Sequence, residues 1–336
     1  MSRVTKALLG PATAALLAFA LVVAPSAMAA SPSAANCVRA NDIEAIVDDS
    51  ISMEFSDPDR LRVQAMNLLI DSLDAKTQLG AIEFGSEGFE TPAAETLFPP
   101  EPIGPNAVAM KGALDQRIKA DNGATDYNAA FAKADADNPD SDARVFLTDG
   151  GHVVGPYNEA HLGHKVPTYV IGFGTGLSST EDQARLKKIA KDTGGQYFPV
   201  KDAADLQAVM SKAGAALTCQ TPPRQFVDTL ANGQSKEHGL AVGDATKQLQ
   251  ITLSWASSLD KFKLLGLRIV GKNGPVAVAS RVGKLKVTKK NGTTFVVLKV
   301  SRVKKGTLRF KVKAAKVASG AKAKVTTQVS QSRRGK

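Results

Sequence analysis

Between Asp42 and Leu217, short and almost continuously apolar runs alternate with segments of helical periodicity, which leaves few folds open. The spacing predicts strands at Ile43 to Asp48, Gln78 to Phe84, Arg144 to Thr148, Thr168 to Phe173 and Gln196 to Val200. Helices are expected over Arg60 to Leu73, after Asp126, and over Thr180 to Thr193 and Ala203 to Leu217. Strands apolar on both sides belong in a sheet covered on both faces, and strand–helix alternation supplies the crossovers of a parallel sheet. The expectation is a doubly wound, mostly parallel α/β domain that binds ligands at the carboxyl ends of its strands. Glu90 to Pro105, with four prolines from Pro99 onward, fits only an edge strand and loop.

After Cys219 the character changes. Residues 31–220 carry 16 Lys+Arg against 28 Asp+Glu, a net of −12, whereas 221–336 carry 25 against 4, a net of +21. The break marks a domain boundary that the overall charge of +11 conceals. Beyond it lie short β-like runs at Leu249 to Trp255, Leu264 to Val270, Val276 to Ser280, Lys284 to Thr288, Thr294 to Val300, Thr307 to Val312 and Lys322 to Val329. Asn273-Gly274 and Asn291-Gly292 supply hairpin turns. The reading is a smaller all-β sandwich over 246–336, joined through 221–245, a linker plus first strand, to an α/β domain over 30–220.

Residues 1–29 read as a signal peptide: Arg3 and Lys6 precede an apolar stretch, and Ala27-Met28-Ala29 offers a cleavage site. The expected location is secreted or associated with a bacterial cell envelope, with no membrane span after cleavage. The two cysteines, Cys37 and Cys219, are then expected to form a disulfide closing the first domain.

At the end of the first strand stands Asp48-Asp49-Ser50-Ile51-Ser52, a carboxylate and two hydroxyls that one loop can aim at a hard cation. Gly123-Ala124-Thr125-Asp126 and Leu147-Thr148-Asp149-Gly150 stand where a doubly wound sheet brings them to the same edge. In this order the three motifs resemble the von Willebrand factor type A (VWA) domain with its metal-ion-dependent adhesion site (MIDAS), over about Asp42 to Leu217. The resemblance implies that Asp48, Ser50, Ser52, Thr125 and Asp149 hold Mg2+, with Mn2+ or Ca2+ as substitutes, and that a protein partner supplies a carboxylate to the cation. The family commonly has Gly where Ile51 stands, so either the loop is αR or β there or the site is distorted. Asp49 is expected in solvent and Asp126 as a helix N-cap.

His161-x-x-His164 lacks a third ligand, and Gly172-x-Gly174-x-Gly176 lacks the rest of a phosphate loop; both read as structural. No nucleophile–base motif is present, so the reading is a binding or adhesion protein and not an enzyme. Two alternatives stand beside it: an assembly module whose acidic VWA domain packs on its own basic β domain, and a metal-assisted hydrolase. The basic domain has too few aromatics for nucleic acid. An anionic cell-envelope polymer is the better partner on charge, while solvated lysines that block edge pairing are the bland reading.

Overall fold

The structure is a computed structural model and describes residues 37–85, 93–119, 123–160, 165–174, 179–201, 203–271, 274–278 and 285–333. The expected signal peptide, both histidines of the 161–164 motif and Gly176 lie outside the described residues.

Six strands, β1 (Asp42–Asp48), β2 (Gln78–Phe84), β3 (Ala94–Pro102), β4 (Ala143–Thr148), β5 (Thr168–Phe173) and β6 (Gln196–Val200), form one sheet in the order β3-β2-β1-β4-β5-β6. All pairings are parallel except β2 with β3. Alternation along β1 splits the core: Ile43, Ala45 and Val47 face α2 (Leu61–Ser72), α3 (Ile103–Arg117) and α6 (Leu206–Leu217), while Ile46 faces α4 (Tyr127–Asp137) and α5 (Thr180–Thr193). This is the expected doubly wound architecture. The proline-rich segment forms the antiparallel edge strand, where a missing N–H costs least. Helix α3 was not legible because prolines crowd its start, yet Pro105 falls in the first helical turn, where its N–H is not needed. Cys37 and Cys219 form a disulfide with Cα atoms 5.7 Å apart, tying the chain before β1 to the end of α6.

The basic half is a two-sheet antiparallel sandwich. One sheet has the order β12 (Lys286–Asn291), β13 (Phe295–Ser301), β9 (Thr246–Ser254), β15 (Ala323–Arg333) and β7 (Arg224–Leu230). The other runs β11 (Gly274–Val278), β10 (Lys261–Gly271), β14 (Gly306–Lys316) and β8 (Ser235–Val242). The expected linker plus first strand at 221–245 is therefore corrected: most of it is β7 and β8, one strand in each sheet. The polar residues that suggested a linker lie on strands at sheet edges, whose outer sides are exposed and give no apolar alternation.

The first sheet of the sandwich packs against α2 and α6. Val296, Leu298 and Val300 of β13 point into the sandwich, while Phe295 and Val297 join the core of the α/β domain. Around them the contact is polar: Gln207 Nε2 donates to Thr294 Oγ1 at 2.6 Å, and Lys299 Nζ donates to the Leu73 carbonyl at 2.6 Å. Opposed charges play a small part, chiefly Lys324–Asp205 at 2.6 Å and Lys299–Asp74 at 4.0 Å. Salt screens ion pairs and not apolar contact. After a single cut between Thr221 and Pro223, the halves are thus expected to elute together in gel filtration at both 0.05 and ~1 M NaCl. Dissociation at high salt alone would show that charge holds the contact.

Candidate metal centre

Strand order reverses at β1, with β2 on one side and β4 on the other, and the crevice at that reversal is where doubly wound sheets hold ligands. Asp48 ends β1, and Thr148 ends β4 with Asp149 next. The Asp48–Ser52 loop leads into α1 (Met53–Ser56), a single turn that folds back over the crevice.

The five residues expected as ligands come together there. Thr125 Oγ1 donates to Ser50 Oγ at 3.1 Å, and Ser50 Oγ lies 3.1 Å from Ser52 Oγ, which donates to Asp149 Oδ1 at 2.7 Å. Asp48 is fixed from two sides, accepting from the Ser50 N–H at 2.9 Å and from Thr148 Oγ1 at 2.5 Å. Ile51 adopts negative φ, since the described non-glycine residues with positive φ are Arg60, Lys165, Cys219 and Arg302. The loop therefore accepts a β-branched residue, with its N–H bound to the Gly123 carbonyl at 3.1 Å and its side chain outward. Two glycines allow the close packing beneath: a Cβ on Gly123 would lie 1.4 Å from the Gly85 carbonyl oxygen, and one on Gly85 (φ +90°) 2.8 Å from Ser50 Cα.

Asp49 departs from expectation. Its side chain is fully buried and ion-paired to Arg62 Nη2 at 2.5 Å, and Arg62 Nη1 reaches Asp57 Oδ2 at 3.1 Å. Asp49 also accepts the Lys119 N–H at 2.8 Å, while Asp57 caps α2 through the Leu61 and Arg62 N–H groups at 2.6 and 2.9 Å. Alternation along the loop turns Asp48 toward the crevice and Asp49 into the helix layer. Asp126 is the N-cap of α4 as expected, accepting from the Asn128 and Ala129 N–H groups at 2.9 and 3.2 Å.

Sequence reasoning missed Ser56 and Thr148. Ser56 Oγ donates to Asp149 Oδ2, and its position four residues after Ser52, one helical turn away, was the available signal. Thr148 directly precedes Asp149 on the strand end. Arg62 gave no signal, because a cation within an otherwise apolar helix reads as solvent-facing.

Asp48 and Asp149 are both held above the usual carboxylate range. Burial is the main cause for each, and for Asp48 the negative charge of Asp149 adds to it. Two desolvated carboxylates side by side are costly when ionised unless a cation compensates them. Among the described residues no group of three or more His, Cys, Asp or Glu side chains gathers, and the side chains that meet at the crevice are two carboxylates and hydroxyls. A donor set of hydroxyl and carboxylate oxygens alone fits a hard divalent cation.

No protein-family model matches the sequence, and no curated protein matches it. Solved structures similar to the chain include a von Willebrand factor type A protein from Catenulispora acidiphila (14% identity, 88% of this chain and 63% of that one, TM-score 0.42). The pilus adhesin SpaC from Lactobacillus rhamnosus GG aligns at 14% identity over 88% of this chain and 44% of its own, TM-score 0.44. Proximal thread matrix protein 1 from the mussel byssus, with a zinc-occupied MIDAS motif, aligns at 18% identity over 58% and 50%, TM-score 0.43. The chain spans less than two thirds of each of these structures. Strand order, helix layers and the position of the crevice give the fold.

The first domain has a VWA/Rossmann-like fold.

The rim of the VWA-like crevice is apolar and exposed. Phe55 is 80% exposed, Val153 68% and Ile51 45%. Each is tied to a candidate ligand: Ile51 stands between Ser50 and Ser52, the Phe55 N–H donates to the Ser52 carbonyl at 3.1 Å, and the Val153 N–H donates to the Thr125 carbonyl at 3.0 Å. No helix among the described residues is long and apolar enough to cross a membrane.

Proposed function

We propose that this protein is an extracytoplasmic binding or adhesion protein that engages a carboxylate of a protein partner through a divalent cation held by Asp48, Ser50, Ser52, Thr125 and Asp149. The observation that carries the reading is the convergence of three hydroxyls and two buried carboxylates at the open switch point of the sheet. A cation there supplies an electrophilic position for an incoming carboxylate. Three of the five donors are neutral hydroxyls, so only Asp48 and Asp149 bring charge to the cation, and a coordination position the protein leaves open can take a partner's acidic group. Asp48 and Asp149 are held ready by Thr148, Ser52 and Ser56, so the donor set is in place before a partner arrives.

The rim sets the partner's chemistry. An acidic side chain reaching the crevice passes between Ile51, Phe55 and Val153, so a partner with bulky apolar residues beside its Asp or Glu gains buried area there. Mg2+ is the expected resident, with Mn2+ and Ca2+ as competitors. Calorimetric titration of Mg2+ and Mn2+ into the chelator-treated protein is expected to give binding at or below millimolar that a Ser50→Ala, Ser52→Ala double variant loses. Equal binding by that variant would place the cation elsewhere, and no binding by the parent protein would remove the metal from the reading.

A further inference from the structure

The outward face of the β11-β10-β14-β8 sheet brings together cations that the sequence scatters over fifty residues. Along β14, Arg309, Lys311 and Lys313 point away from the sandwich core, while Leu308, Phe310, Val312 and Ala314 point into it. The register sets Lys263 of β10 directly opposite Lys313, and Arg268 directly opposite Arg309. Glu237 of β8 faces Lys311 from the other side and is drawn to the arginines, 2.7 Å from Arg268 Nη2 and 3.7 Å from Arg309 Nη1. At one end the face runs into an open depression of about 530 Å³, with Lys305, Thr307 and Arg309 in its lining.

Like charges directly opposite one another weaken a sheet, so a pattern of this kind calls for a reason. Edge protection does not supply it, because β10 and β14 are the two interior strands. Balancing the acidic domain does not supply it either: α2 and α6 pack against β13, β9 and β15, so the other sheet stands between this face and the VWA-like domain. What remains is an anion from outside. Side chains on one side of a strand repeat at about 6.8 Å and neighbouring strands lie about 4.8 Å apart, giving a flat lattice of positive charge instead of a pocket for one small ion. Leu265, 42% exposed, is the large apolar side chain set among them, opposite Lys311. Among the described residues the face offers neither the aromatic belt of a membrane surface nor the stacking platform of a nucleic-acid groove.

We propose that the outward face of the β8-β14-β10 strands binds a linear polyanion, with Lys263, Lys311, Lys313, Arg268 and Arg309 as its contacts, at a site separate from the metal centre. Binding is electrostatic and releases counterions, so it weakens steeply with salt.

The test uses the full exported chain and long-chain inorganic polyphosphate as probe, with affinity measured by fluorescence anisotropy from ~50 to ~300 mM NaCl and melting temperature recorded with and without the probe. For five contacts the expected result is a log–log salt slope of about −3.5 to −4.5. A Lys263→Gln, Lys311→Gln, Lys313→Gln variant is expected to lose at least tenfold in affinity while melting no lower than the parent. The matched variant Lys286→Gln, Lys289→Gln, Lys290→Gln, which removes equal charge at three exposed positions of β12, is expected to lose less than threefold. Equal losses from both variants would overturn the site in favour of a general charge effect. Tighter binding to phosphatidylglycerol vesicles than to polyphosphate at equal phosphate would overturn the polymer in favour of a lipid surface. Chelation of divalent cations should leave polyphosphate binding unchanged, which separates this site from the crevice.

Discussion

Replacing Arg62 with alanine is expected to lower the unfolding free energy by about 3 to 5 kcal/mol, because it leaves two carboxylates buried without a counterion. Arg62 is fully buried and bridges Asp49, in the metal loop, to Asp57, which caps α2. The same loss reaches the crevice: Asp49 sits between Asp48 and Ser50, and without Arg62 it holds less firmly the backbone from which both ligands project, although the Lys119 N–H still reaches it. Outer supports of this kind are typically worth about 10- to 100-fold in metal affinity. Urea unfolding and Mn2+ titration of Arg62→Ala measure the two effects. A change below ~1 kcal/mol would mean that water reaches the pair and that the bridge is structurally incidental.

The second large effect is expected at Glu44, in the middle of β1 and 1% exposed. Its neighbour across β2 is Gly80, where a Cβ would lie 2.2 Å from Glu44 Oε2, so the strand gives up a side chain to make room for it. The Asn138 amide donates to Asp42 Oδ1 at 2.8 Å, and Asn138 and Arg144 nearby offset part of the cost of charging Glu44. Burial, with the charge of Asp137 adding to it, pushes the carboxyl from 4.5 up to about 8. A carboxyl with a raised folded pKa stays protonated in the native state. Its stabilisation is therefore whole below pH 4.5 and is lost as pH rises toward 8. Glu44→Gln keeps the shape and removes the titration. It is expected to match the parent near pH 4.5 and to exceed it by about 3 kcal/mol near pH 7, with little further gain beyond pH 8. Parallel denaturation curves of the two proteins from pH 5 to 8.5 would sink this account.

The site was more legible than its supports. Asp48, Ser50, Ser52, Thr125 and Asp149 stand at strand ends or helix starts, and in a doubly wound sheet such positions share one edge whatever the details of packing. Arg62, Asp57 and Ser56 depend on how the loop turns after Ser52, which local pattern does not encode. Ile51 illustrates the same limit: its residue type raised a conflict with a glycine position, and only the backbone path, at negative φ, removes it.

In the second half, alternation and Asn-Gly turns named the architecture, but Arg224–Leu230 and Ser235–Val242 read as a linker plus one strand because edge strands bury only part of one side. The charge break at Cys219 was read directly from the sequence, since charge is a sum over residues and needs no geometry. Its use was not. The expected interface between acidic and basic halves turned out to rest on Phe295, Val297 and hydrogen bonds, and the cations concentrate on the sheet face turned away from it.

Periodicity, which is local, determined the fold class; the cysteine count gave the disulfide expectation, and the resemblance carried by the three motifs implied the candidate ligands. Strand register, the burial of Asp49 and Glu44, and the orientation of the two sheets relative to α2 and α6 were decided by tertiary packing. These depend on which distant segments meet, and the cost of burying a charge or pairing like charges is set only when they do.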